Sequence, residues 1–258
     1  MVNSSYGKPT VYTQPKKDDF KYEEESIAGK LVYTYYGFKG VGKTTAAFHH
    51  EGNLLCLSLD RKAQRIKKTL FKDDPRIHVF DAIKYWSHEK DKLTESSNKT
   101  YDYIKFILNT SKDKDIDWII FDCAGTLAYI CEQKMRYDNN LKPFQGFPNL
   151  NLWKDRNLNL RALHNIAINL AKKGVIYTTF TTKDDIVVKG TLMTRKDIPR
   201  WNDAIMEETD FVVKLYQERN KEDILTNFAE ITTSKDDSMH KTAEKIDISG
   251  NKSIFKRT

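Results

Sequence analysis

Residues 37 to 44 read Gly37-Phe38-Lys39-Gly40-Val41-Gly42-Lys43-Thr44, which places three glycines, a lysine and a hydroxyl at G-x-x-x-x-G-K-[ST] spacing. These residue types do phosphate chemistry. Glycines let successive N–H groups turn inward around an anion with no Cβ in the way. Lys43 supplies a charge for the β and γ phosphates of a nucleotide, and the Thr44 hydroxyl is a ligand for Mg²⁺. A helix starting near Lys43 points its positive end at the same anion. Phe38, Lys39, Val41 and Thr45 complete the stretch expected around the phosphates. The bland alternative is a glycine-rich turn with a solvated lysine. Context argues against it, because the apolar run Leu31, Val32, Tyr33, Tyr35, Tyr36 precedes the loop and Ala46, Ala47, Phe48 follow it. That is the strand, loop and helix setting this motif requires.

Two carboxylates end apolar runs further on. Asn53 to Leu59 is of strand length and stops at Asp60. On the ligand-binding edge of a parallel sheet Asp60 would activate a water against a γ phosphate; equally, it would cap the next helix. Ile116 to Asp122 (IDWIIFD) fits the acid-tipped strand of phosphate-loop NTPases, with Asp122 orienting Mg²⁺. Its alternative is a cap for the turn Cys123 to Thr126.

The elements that position these groups follow from length and pattern. With 258 residues, 39% hydrophobic and 31% charged, the chain suits one large α/β domain. A net charge of +7 permits a polyanionic partner and also simply favours solubility. Three cysteines with no C-x-x-C pair argue against a zinc site or disulfide framework and for a reducing interior. No apolar run approaches the roughly 18 residues of a membrane span, and no hydrophobic signal region opens the chain. The expectation is a soluble protein of the cytoplasm, or of a host cytoplasm for a virus or mobile element. Residues 1–26 read as a flexible polar arm, with Phe20 as its one conceivable docking residue. Residues 27–235 read as the core and 236–258 as a C-terminal strand and tail.

Within the core, Gly52 is expected to end the helix after the loop. Arg61 to Lys72 holds six basic residues and no acid, the pattern of a solvated helix face. Arg76 to Ile83 reads as a strand, Ser87 to Thr100 as loop, and Tyr101 to Leu108 as helix. A helix from Thr126 to Tyr137 leads to a long loop, Asp138 to Asp155. Its Phe144 and Phe147, with Trp153, lie beside Lys142, Lys154 and Arg156. They either stack on nucleic-acid bases while the cations meet phosphates, or tuck the loop down. Asn157 to Lys173 is amphipathic with Gly174 as its cap, and Val175 to Phe180 is a buried strand. The strand's tip, Thr181-Thr182-Lys183, is where a γ-phosphate sensor would lie. Asp184 to Arg200 mixes a hairpin strand with the basic cluster Lys189, Arg195, Lys196 and Arg200. Phe211–Leu215, Ile224–Thr233 and Ile246–Ile248 read as a closing meander, the gaps being too short for crossover helices.

Over about Ser26 to Lys235 this order resembles the RecA-type ATPase core. It is most similar to core-only ATPases of phages and archaeal elements that act in single-strand annealing, and more distantly to RadA and KaiC. The resemblance implies a mostly parallel sheet flanked by helices, with ATP and Mg²⁺ as cofactors. It also implies single-stranded DNA as a partner and a ring or filament of identical subunits. By position it puts the catalytic glutamate on Asp60, one methylene shorter, and the metal-site aspartate on Asp122. The polar sensor falls on Thr181 and Thr182, and the DNA loops on Arg136 to Arg156 and Lys183 to Arg200. Lys235 stands near a late basic residue of the family. The helix-hairpin-helix domain of RadA has no counterpart. GVGKTT also resembles the KGGVGKTT of ParA and MinD-like partitioning ATPases, but Phe38 stands where their extra lysine falls and Lys39 is one step out of register. A third alternative, favoured by the short Asp60, is a nucleotide-gated scaffold with little hydrolysis.

Overall fold

The computed structural model describes residues 29–149, 151–188, 191–200, 203–219, 225–249 and 254. The first apolar run forms β1 (Leu31–Gly37), and the glycine loop delivers it to α1 (Lys43–Phe48). Then follow β2 (Leu54–Ser58), α2 (Ala63–Leu70), β3 (Ile77–Asp81), α3 (Leu93–Thr110) and β4 (Trp118–Asp122). Next come α4 (Ala124–Asp138), α5 (Leu152–Leu170), β5 (Gly174–Val188) and β6 (Thr191–Pro199). The chain closes with α6 (Asp203–Glu208), β7 (Phe211–Arg219), β8 (Leu225–Ser234) and β9 (Lys245–Asp247).

The strands form one sheet in the order β3-β2-β4-β5-β1-β7-β8-β9, with β6 paired to β5 outside that path. From β3 to β7 every pairing is parallel, and the β7–β8 and β8–β9 pairings are antiparallel. The chain is therefore an α/β protein with a mostly parallel sheet flanked by helices and a C-terminal antiparallel meander. Helices cover both faces, which is why the central strands read as continuous apolar runs rather than alternating ones. Leu55, Leu57, Ile119, Phe121, Val175 and Tyr177 pack toward α3, α4 and α5. Tyr33, Tyr35, Cys56, Ile120, Ile176 and Val213 pack toward α1 and α2. Among the described residues no helix is long and apolar enough to cross a membrane.

Several boundaries differ from the sequence reading. The polar stretch before Thr100 is not loop beyond Leu93, because α3 begins there. Its inward face is made of small hydroxyls: Ser96, Ser97 and Thr100 are buried, Thr100 Oγ1 donates to the Ser96 carbonyl, and Trp86 Nε1 donates to Ser97 Oγ. Hydroxyls that bond back to the helix hide an inward face from a search for apolar periodicity. Nor does Gly52 end α1, which stops at Phe48 with His49 as its cap. Gly174 is no cap either. It is the first residue of β5, where a Cβ would run into the Leu31 carbonyl oxygen, so close strand approach demands glycine. Finally, Leu152, Trp153, Lys154 and Asp155 belong to α5, so the loop after α4 is shorter than the sequence suggests.

Candidate functional site

The glycine loop sits at the C-terminal end of β1, the edge on which open parallel sheets bind ligands. At Gly40 and Gly42 the backbone has φ of 90° and 87°, a left-handed conformation that favours glycine. A Cβ on Gly37 would run into the Leu215 carbonyl oxygen of β7, so a side chain there would push the loop off the sheet. Loop and strand tips together line a cleft of about 340 Å³. Its walls include Gly40, Gly42, Lys43, Thr44 and Thr45 from the loop and α1, with Asp60 just past β2, Asp122 at the end of β4 and Thr178 within β5.

Lys43 is half-buried, and its Nζ donates to the carbonyls of Phe38 at 2.8 Å and Gly37 at 3.1 Å while lying 4.6 Å from the centre of the Phe180 ring. Burial lowers its pKa, and the Asp122 carboxylate opposes that shift. Thr44 Oγ1 donates to both oxygens of Asp122, at 3.0 and 3.1 Å. Asp122 is 2% exposed, and burial pushes its carboxyl up to about 6. The Asp60 carboxylate adds to the rise, whereas hydrogen bonds from Thr178 and Thr44 and the charge of Lys43 oppose it. Asp60 lines the same cleft, where Oδ1 accepts the Lys62 N–H at 3.0 Å and Oδ2 lies 3.3 Å from Lys62 Nζ. The N-cap of α2 is Lys62, with no side-chain capping bond, so Asp60 braces the turn before the helix and does not cap the helix itself.

The loop accommodates a polyphosphate, and Thr44 with Asp122 offers the hydroxyl and carboxylate that Mg²⁺ takes alongside phosphates and water. Among the described residues no cluster of three or more His, Cys, Asp or Glu could hold a metal ion. A cation here would therefore rest on that pair.

Other expected site residues lie elsewhere. β5 does not end at Phe180 but runs on to pair with β6, so Thr181 and Thr182 lie opposite Pro199 and Ile198, outside the lining of the cleft. The β5 hydroxyls that line it are Thr178 and Thr179. Period-two alternation along β5 from the core residue Ile176 reaches Thr178, opposite Asp122. Cys123 and Ile66 also line the cleft without a sequence signal. Of the residues expected to meet DNA, Lys142, Phe144 and Lys154 are exposed, Phe144 at 66%. Phe147 instead packs edge-on against Trp153 at 4.5 Å and beneath the Arg136 guanidinium at 4.3 Å, and Arg156 lies over Trp153 at 4.4 Å. Lys196 and Arg200 are exposed on the second hairpin strand and just past it. Lys189 and the side chain of Arg195 lie outside the described residues. Lys235 is remote from the cleft, its Nζ meeting the Glu207 carbonyl at 3.3 Å and Asp210 at 3.5 Å.

A glycine loop at the tip of a central parallel strand, its lysine and hydroxyl facing a buried acid on another strand tip, defines a P-loop nucleotide-binding fold. The family model described as an AAA domain matches residues 30–245, and the chain belongs to that family. A search of curated proteins returned no match.

Proposed function

We propose that this P-loop protein is a RecA-like ATPase that binds and hydrolyses ATP with Mg²⁺, coupled to single-stranded DNA in recombination, annealing or replication. The observation that carries the reading is the convergence of Lys43, Thr44, Asp60 and Asp122 on one cleft. Magnesium, when bound, neutralises charge on the β and γ phosphates, with Thr44 and Asp122 to hold it. Lys43 brings a fixed cation to the phosphate cradle, where partial burial strengthens its electrostatic effect. Asp60, at the end of a strand neighbouring β4, is the carboxylate available to orient a water.

Exposed Phe144 with Lys142 and Lys154, and exposed Lys196 and Arg200, support nucleic-acid contact by stacking and phosphate pairing. In this reading identical subunits assemble in a ring or filament, as in the RecA-like proteins. A second reading, a nucleotide-gated scaffold with little hydrolysis, is favoured by one observation: the Asp60 carboxylate is already engaged by Lys62. To separate them, ATP turnover is measured for wild type and Lys43→Ala with and without single-stranded DNA. Hydrolysis that Lys43→Ala abolishes is expected; equal turnover in both proteins removes the ATPase, and tight ATP binding without turnover selects the scaffold. Wild type that binds single strands no better than a neutral protein at near-physiological salt removes the DNA half.

A further inference from the structure

Along the sheet Asp122 has Ser58 of β2 as its register partner on one side and Thr178 of β5 on the other. Cys56, Ile120 and Ile176, two residues earlier on the three strands, all belong to the core beneath α1. With a strand period of two, Ser58, Asp122 and Thr178 share that face as a row of hydroxyl, carboxylate and hydroxyl.

Donor counting fixes the bonding of Thr178. Its oxygen accepts the Cys123 N–H at 2.9 Å, and its single proton goes to Asp122 Oδ1 at 2.6 Å. Cys123 is held there at φ 93° and ψ 75°, an unusual conformation for a residue with a Cβ, which the surrounding bonds must maintain. Ser58 presents the opposite case. It is 2% exposed, and its Oγ has no hydrogen-bond partner among the described residues. Interiors rarely leave a hydroxyl so, and beside a carboxylate the natural complement is a bridging water. A Mg²⁺ held by only one or two protein ligands keeps several waters of its own.

We propose that Thr178 and Ser58 are positioning residues for Asp122: Thr178 fixes the carboxylate directly, and Ser58 holds a bridging water against it. The inference rests on the nucleotide and magnesium reading above. Thr44 is unsuited to the first task, because the oxygen that now donates to Asp122 is the one that must serve the cation. Thr178 has no such second duty, since its one proton goes to Asp122. Its place on β5, between β1 and β4, ties the acid to the strand alongside the phosphate loop.

The test is the affinity of a fluorescent ATP analogue, measured with and without Mg²⁺, together with melting of the nucleotide-free protein. In wild type Mg²⁺ tightens binding. Thr178→Val is expected to lose about tenfold of that tightening, the scale of a hydrogen bond to a charged group, with the Mg²⁺-free affinity of the same variant as its reference. Thr178→Ser restores it, and Ser58→Ala loses a smaller factor of about three. If Thr178→Val does not fold, Thr178→Ala carries the same expectation. Tightening by Mg²⁺ equal to wild type in the folded Thr178 variant overturns the inference. So does an equal loss with and without Mg²⁺, or a Thr178→Ser protein no better than Thr178→Val. An unchanged Ser58→Ala overturns the role of Ser58. Wild type that fails to bind nucleotide, or binds it with no Mg²⁺ dependence, refutes the underlying reading instead.

Discussion

Asp122→Asn should make the nucleotide-free protein more stable at neutral pH, although it removes the acid on which the proposed metal binding depends. Burial raises the Asp122 carboxyl from 3.8 to about 6 in the folded chain. Below pH 3.8 the group is protonated in both states and costs nothing. As pH rises, the unfolded chain ionises first, and stability falls until the folded pKa is passed. Above that the full cost persists, about 3 kcal/mol at roughly 1.4 kcal/mol per pKa unit. A neutral amide escapes it and still accepts the Thr178 hydroxyl at its oxygen. For a chain of this size each kcal/mol is about 2–4 °C in melting temperature, so the variant should melt up to about 10 °C higher at pH 7.5. The gain should vanish near pH 4.

Melting curves from pH 4 to 8, without nucleotide or Mg²⁺, measure the difference directly. His50 and His164 are also buried, and burial lowers both their pKa values, so both remove stability as pH falls below the usual histidine range. Wild type and variant share them, so they cancel in the comparison. A variant no more stable than wild type at pH 7.5, or a difference that does not change with pH, would refute the assignment of Asp122 as a carboxylate held at a cost for function.

Three further outcomes follow from the same geometry. Asp60→Asn keeps an oxygen to accept the Lys62 N–H in the turn before α2, so melting should shift by about 1 kcal/mol or less, while ATP turnover falls about 100-fold with ATP affinity retained if Asp60 orients water. Gly37→Ala puts a Cβ into the Leu215 carbonyl and should cost several kcal/mol or displace the loop, read as lost melting stability together with lost nucleotide affinity. Phe144→Ala, at an exposed position, should leave melting within about 0.5 kcal/mol yet weaken single-strand binding by about 1–3 kcal/mol; Phe147→Ala, which removes packing on Trp153 and Arg136, should show the reverse balance.

What the sequence determined by itself is local. Glycine, lysine and hydroxyl at fixed offsets specify a phosphate loop because the requirement is a backbone conformation and two side chains within eight residues. The apolar runs ending at Asp60 and Asp122 specify buried strands for the same reason, since a strand covered on both faces needs no partner to be legible. Where an element's end depends on another element, the pattern failed. β5 passes Phe180 because β6 is there to pair with it, which moves Thr181 and Thr182 away from the cleft and leaves Thr178 and Thr179 in it. α3 begins at Leu93 because the buried hydroxyls of Ser96, Ser97 and Thr100 find hydrogen-bond partners, the Trp86 indole N–H for Ser97 and helix carbonyls for the other two. The order of strands, which sets Ser58, Asp122 and Thr178 side by side, is written in no segment of the chain. It arises from packing two apolar faces of one sheet against helices, and only that packing brings residues so distant in sequence to the two sides of a single carboxylate.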